Sequence, residues 1–157
     1  MNVWYVNSIL GTFRLEEENN AICGLTLCPD GVPELEPLPR KVYETPLLQE
    51  AEEQLNEYFA GARREFDLPL APKGTPFQKA VWAEMCRIPY GETRTYGQLA
   101  AAVGKPKASR AVGGACHCNP IAILQPCHRV VGSTGKLTGY AYGVEMKQYL
   151  LELEKQE

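Results

Sequence analysis

Apolar and polar positions change rhythm along this chain. Near the start the apolar residues come in short blocks. Trp4-Tyr5-Val6, Gly11-Thr12-Phe13-Arg14-Leu15 and Ala21-Ile22-Cys23-Gly24-Leu25-Thr26-Leu27 read as strands. From Pro46-Leu47-Leu48 to Tyr58-Phe59-Ala60 the period becomes helical, and Gly61 stops the pattern. These blocks predict a small unit in which one helix covers an antiparallel sheet. A turn-rich stretch, Leu70-Ala71-Pro72-Lys73-Gly74-Thr75-Pro76, then marks a boundary. The predicted domains are residues 1–71 and 72–157.

The second half is mainly helical in pattern. Thr75 reads as an N-cap with Pro76 in the first helical position, and Phe77, Val81, Trp82 and Met85 form an apolar stripe. Thr95-Tyr96-Gly97-Gln98-Leu99-Ala100-Ala101-Ala102-Val103 predicts a second helix ended by Gly104. After the turn Lys105-Pro106-Lys107, a third runs from Ala108 or Ser109 towards Cys118. Two short helices joined by a tight basic turn point to a helix-turn-helix. Ile121-Ala122-Ile123-Leu124 reads as a buried strand, and Lys147 to Glu154 as a terminal helix.

Composition narrows the partners. With 45% hydrophobic residues the chain has material for a real core, yet it holds no apolar run long enough to span a bilayer. Met1-Asn2-Val3-Trp4-Tyr5 lacks the basic and apolar regions of a secretory leader. The six cysteines are therefore expected as reduced thiols in the cytoplasm. The net charge of −3 conceals a division. Residues 1–71 carry 5 Lys/Arg against 13 Asp/Glu (−8), and residues 72–157 carry 11 against 6 (+5). The basic half suits a polyanion and the acidic half does not. Cys23 and Cys28 have no histidine nearby, which argues against zinc there.

Two segments carry candidate chemistry. Ser109-Arg110-Ala111-Val112-Gly113-Gly114-Ala115 offers one long polar side chain among small residues, too few to read base edges. Small residues let a helix backbone approach a surface closely. That surface is either a neighbouring helix or a narrow DNA groove, and Arg110 beside Lys105 and Lys107 favours DNA. An arginine at the start of such a helix can fill the stack where a base has been flipped out. The second segment is Pro126-Cys127-His128-Arg129-Val130-Val131, with a thiol among cationic neighbours. A thiol of ordinary pKa, about 8.5, needs a base or positive surroundings to attack. On an extended chain Cys127 and His128 point apart, so a bridging water is the reasonable coupling. These residues alone read equally as a nucleophile or as a buried structural thiol.

From Gly74 to Glu154 the chain resembles the O6-alkylguanine-DNA alkyltransferases, the methylated-DNA–protein-cysteine methyltransferases. The resemblance runs through Phe77-Gln78-Lys79-Ala80-Val81-Trp82, Ile88-Pro89-Tyr90-Gly91-Glu92, Tyr96-Gly97-Gln98-Leu99-Ala100, Arg110-Ala111-Val112-Gly113, Asn119-Pro120 and Pro126-Cys127-His128-Arg129-Val130-Val131. The first half is only loosely similar to that family's ribonuclease-H-like domain. The implied fold is α+β: a small N-terminal antiparallel sheet with a helix, then a mainly helical, winged helix-turn-helix-like domain.

The resemblance implies a suicidal repair protein that flips O6-alkylguanine, and O4-alkylthymine as a further substrate. It would transfer the alkyl group irreversibly to its own Cys127, once per molecule. It implies His128 as water-mediated base, Glu154 as its orienting carboxylate, Asn119 as brace of the active-site turn and Tyr96 as donor to guanine N3. Arg110, Ala111, Gly113, Gly114, Thr95 and Lys107 would meet DNA. The Cys127 and Val130 carbonyls would accept from the 2-amino group, the Ala141 amide would meet O6, and Tyr140 and Cys116 would line the pocket. The implied partner is double-stranded DNA, bound through the minor groove without sequence specificity by a monomer. No cofactor, metal or membrane is implied. Cys116-His117-Cys118 departs from the family pattern, and soft-metal ligation there would compete with the use of Cys127. Tyr142 is bulky and is expected to exclude large O6 substituents such as benzyl. Two other classes stay in view: a damage-binding protein of the same fold that transfers nothing, and a cysteine hydrolase. The central expectation is an ionised sulfur at position 127, open to a flipped guanine.

Overall fold

The computed structural model describes residues 1–28, 45–135 and 139–155. The chain forms two compact units, Met1–Pro72 and Lys73–Glu157. In the first, β1 (Asn2–Ser8), β2 (Gly11–Glu18) and β3 (Ala21–Cys28) make an antiparallel sheet in chain order. The β2–β3 hairpin turns on Asn19 and Asn20, at φ 54° and 61°. Asparagine is among the few side chains that tolerate this left-handed pair. Alternation along β2 buries Phe13, Leu15 and Glu17. The core is completed by Val3, Val6, Ile22 and Leu25 and by Leu48, Ala51, Leu55 and Tyr58 of α1 (Pro46–Phe59). The buried Glu17 carboxylate accepts from Asn2 Nδ2 and Thr45 Oγ1, both at 2.8 Å. Thr45 also caps α1, accepting from the Leu48 amide at 3.2 Å.

In the second unit, α2 (Pro76–Met85) and α3 (Tyr96–Ala102) begin in the same way. Thr75 and Gln78, then Thr95 and Gln98, form reciprocal capping boxes. Val81, Trp82 and Met85 are buried as their stripe predicts, whereas Phe77 is half-buried, with the Lys105 ammonium 5.2 Å from its ring centre. Trp82 Nε1 donates to the Ala115 carbonyl at 2.8 Å, which pins α2 to α4 (Ser109–His117). Gly74 lies close against the same indole, where a Cβ would come 2.5 Å from the ring. The chain closes with α5 (Val144–Lys155). No helix among the described residues is long and apolar enough to cross a membrane.

One predicted element is absent. Ile121–Leu124 is buried but is no strand; it is a run of turns. Leu124 N donates to Ala122 O at 2.7 Å, and Ile123 takes φ 69°. This is a γ-turn in the left-handed region, a strained state for a β-branched residue. Gln125 N returns to Ile121 O at 3.0 Å. Burial of the apolar side chains is satisfied while the backbone bonds stay local, so the apolar run gave the right burial and the wrong element.

Candidate active site

A second tight turn presents the sulfur. Pro126, at φ −82° and ψ 67°, sits in an inverse γ-turn closed by Cys127 N to Gln125 O at 2.8 Å. Cys127–Arg129 then forms one turn of 3₁₀ helix before β5 (Val130–Val131). The extended Cys127–His128 geometry expected from the sequence is thereby replaced. β5 pairs in parallel with β4 (Arg94–Thr95), with Val131 opposite Thr95. Thr95 caps α3, so this pairing sets Tyr96, the first residue of α3, against the segment that carries the thiol.

Asn119 braces the turn. Its Nδ2 donates to Gln125 O at 2.8 Å and to Cys127 Sγ at 3.2 Å. Its Oδ1 accepts from Ile121 N at 3.1 Å and Gln125 Nε2 at 2.7 Å.

Glu154 is a buried hub rather than a solvated end residue. Its Oε2 lies 2.6 Å from His128 Nε2, and Arg129 donates Nε to Oε1 at 2.8 Å and Nη2 to Oε2 at 3.0 Å. Arg129 Nη1 continues to Ile88 O at 2.7 Å, and Tyr90 Oη donates to Leu153 O at 3.3 Å. Burial alone would raise the Glu154 pKa, but the hydrogen bonds from His128 and Arg129 outweigh it and hold the carboxyl at about 2. Burial pushes the His128 imidazole below its ordinary value against the pull of Glu154. A neutral ring that gives Nε2–H to this carboxylate leaves the Nδ1 lone pair available. Among the described residues Nδ1 has no partner. That tautomer is the one a general base requires.

The sulfur itself corrects the expectation. Cys127 is 6% exposed, and burial raises its pKa, so the resting fold holds a thiol under cover and not an open thiolate. The Asn119 hydrogen bond, the Lys147 charge and the Tyr140 hydroxyl pull the other way. Cys116, also buried, is pushed up to about 12 by burial and by the charge of Cys127, and its Sγ lies 3.6 Å from Met85 Sδ. Of these two thiols only Cys127 receives an amide hydrogen bond from Asn119. Tyr140 is buried, its phenol held well above its usual range by burial, and Tyr142 packs edge-on to it at 5.8 Å. Val130 is buried and Ala141 exposed.

The outer face of α4 is a separate surface. Val112, Ala115 and Cys116 face inward, while Lys107, Arg110, Ala111 and Gly114 are exposed. A Cβ on Gly114 would meet nothing within 4 Å, and one on Gly113 would reach only ordinary contact with the Tyr96 ring at 3.9 Å. Helix–helix packing among the described residues thus requires neither glycine.

Residues 76–156 match the family model for the 6-O-methylguanine DNA methyltransferase DNA-binding domain, and residues 3–72 match its ribonuclease-like domain. The chain belongs to the 6-O-methylguanine DNA methyltransferase family. Among its relatives is the methylated-DNA–protein-cysteine methyltransferase of Methanosarcina barkeri, 61% identical over 107 residues, which are 68% of each chain. The constitutive enzyme of that name from Bacillus subtilis is 58% identical over 113 residues, 71% of this chain and 68% of its own. Mycobacterium tuberculosis OGT in complex with DNA superposes with a TM-score of 0.86 at 43% identity, covering 99% of this chain and 93% of that one.

Lys147, near both buried thiols, was not anticipated from the sequence. Lys147 is fully buried, with Nζ 5.7 Å from the Tyr96 ring centre and its charge felt by Cys127 and Cys116. The signal was present: Lys147 and Glu154 fall on the apolar stripe that includes Leu150 and Leu151, where a solvated residue does not belong. Among the described residues no cluster of three or more His, Cys, Asp or Glu is arranged to hold a metal ion.

Proposed function

We propose that this protein repairs alkylated DNA by moving the alkyl group from O6 of guanine to Cys127, each molecule acting once. The observation that carries this reading is a buried thiol that receives an amide hydrogen bond, in a member of this methyltransferase family. Duplex DNA lies with its minor groove on α4, where Ala111, Gly113 and Gly114 allow close approach and Thr95 and Lys107 meet the backbone. Among the described residues no side chain caps the α4 N-terminus, which leaves its amides for phosphate. Contacts of this kind do not read sequence. Arg110 fills the stack vacated by the flipped guanine.

In the pocket the carbonyls of Cys127 and Val130 accept from the 2-amino group, the Ala141 amide meets O6, and Tyr140 forms a wall beside Cys116. His128 Nδ1 takes the Cys127 proton through a water, with Glu154 fixing the ring. The thiolate attacks the alkyl carbon in line, so the S–C bond forms as the C–O6 bond breaks and its electrons pass to the purine. Tyr96 donates towards N3 as that charge builds. Because burial keeps the resting sulfur protonated, proton loss is tied to base entry. The thioether is a poor leaving group, so the protein is spent. O4-alkylthymine presents the same alkyl–oxygen bond and is a second substrate. The protein works as a monomer in the cytoplasm, without cofactor or metal.

A duplex carrying O6-methylguanine, held in excess over protein, should be restored to guanine in a number of lesions equal to the number of protein molecules. Continued turnover, or binding without restoration, would reject the reading in favour of a hydrolase or a non-transferring binder. Tyr142, packed on Tyr140, excludes large substituents: O6-benzylguanine should label Tyr142→Gly much faster than wild type. Equal fast labelling of both would remove that role.

A further inference from the structure

The Asn119 amide has two ends of opposite character, and only one helps a thiolate. With Nδ2 towards the sulfur, an N–H donates to the developing negative charge; with Oδ1 there, two acceptors would face each other. What fixes the orientation therefore matters to the chemistry. Gln125 grips both ends: its backbone carbonyl accepts from Nδ2 at 2.8 Å, and its side-chain Nε2 donates to Oδ1 at 2.7 Å. The other bond to Oδ1, from Ile121 N, is longer at 3.1 Å. Gln125 is only 3% exposed and follows the apolar run Ile121–Leu124, a place where a polar side chain persists only if it is paired. A donor on Oδ1 also polarises the amide, which strengthens the bond that Nδ2 gives to sulfur.

We propose that Gln125 is a positioning residue for alkyl transfer: its side-chain amide holds and polarises Asn119 so that Nδ2–H supports the Cys127 thiolate. Gln125 acts through Asn119 and does not meet the substrate. The inference rests on Cys127 being the acceptor.

The test is Gln125→Met, which keeps the length of the side chain and removes the donor. Two rates are followed against pH: methyl transfer from an O6-methylguanine duplex, and alkylation of the thiol by iodoacetamide, each located by peptide mass. The variant should transfer roughly tenfold more slowly at neutral pH, with the midpoint of thiol reactivity raised by about one unit. In an Asn119→Ala background the substitution should add nothing further, because the route it uses is gone. Gln125→Leu, which likewise removes the donor and adds no charge, should shift the midpoint in the same direction and serves if the methionine variant does not fold. Methyl found on Cys127 with an unmoved midpoint would overturn the role of Gln125 alone. So would a shift of equal size with Asn119→Ala in place. Methyl found on another residue would overturn the acceptor and, with it, this role.

Discussion

A lysine ammonium with no exposed surface is destabilising unless something compensates it, and burial lowers the Lys147 pKa accordingly. Its Nζ lies 5.7 Å from the Tyr96 ring centre, and Cys127 and Cys116 favour the charged form only once they ionise. On the proposed function Lys147 exchanges fold stability for stability of the attacking thiolate. Lys147→Met, of similar length and apolar, should leave the melting temperature equal to or above that of wild type while slowing methyl transfer about tenfold or more at neutral pH. Thermal unfolding and single-turnover kinetics on the same samples check this. A large loss of stability would contradict it. Residue chemistry was legible where the motif was contiguous. Cys127 and His128 stood out in the chain and Asn119 through the family resemblance, but Lys147 and Gln125 did not. Their meaning depends on burial, which for Lys147 is signalled only by its place on the apolar stripe of α5.

Among the elements, α4 is poorly suited to its own formation. Two adjacent glycines each cost a helix about 1 kcal/mol relative to alanine, and no described neighbour needs the space beside Gly114. On the proposed function, this small surface is the one that duplex DNA approaches from outside. Gly114→Leu should raise the melting temperature yet weaken binding of duplex DNA by roughly tenfold or more, two changes of opposite sign. Fluorescence anisotropy with a labelled duplex reads the second, and unaltered affinity would remove α4 from the interface. The capped start of α2 was legible because Thr75 stands before Pro76, a local signal, whereas the capping boxes of Gln78 and Gln98 and the cap on Thr95 came from the structure. Ile121–Leu124 was not, since the bracketing Asn119-Pro120 and Pro126 break the backbone into turns while burial stays that of a strand. The strained Ile123 is held there by its fully buried surroundings and delivers the chain to the Cys127 turn.

At the scale of the molecule, charge and chemistry are divided between the two units. The acidic residues gather in the first half, while the basic surplus, the thiol and the Glu154 hub lie in the second. The hub makes that second unit sensitive to acid. His128 and Glu154 both have lowered pKa values in the fold, so the unfolded chain binds protons that the folded one refuses. Their stabilisation is complete above the ordinary histidine value of 6.5. It falls as pH drops below that point, and falls again from 4.5 towards 2 as Glu154 is protonated. The unit should lose about 3 kcal/mol across the lower window. Urea unfolding followed by Trp82 in a Trp4→Phe variant reads this directly, and a flat urea midpoint from pH 6 to 3 would contradict it. On the proposed function, Cys127 accepts the alkyl group. The decisive measurement is the intact and peptide mass of wild type and Cys127→Ser after mixing with stoichiometric O6-methylguanine duplex. One methyl on Cys127 in wild type, and none on the variant, is the predicted result; an unmodified wild type, or a methyl carried elsewhere, would contradict it.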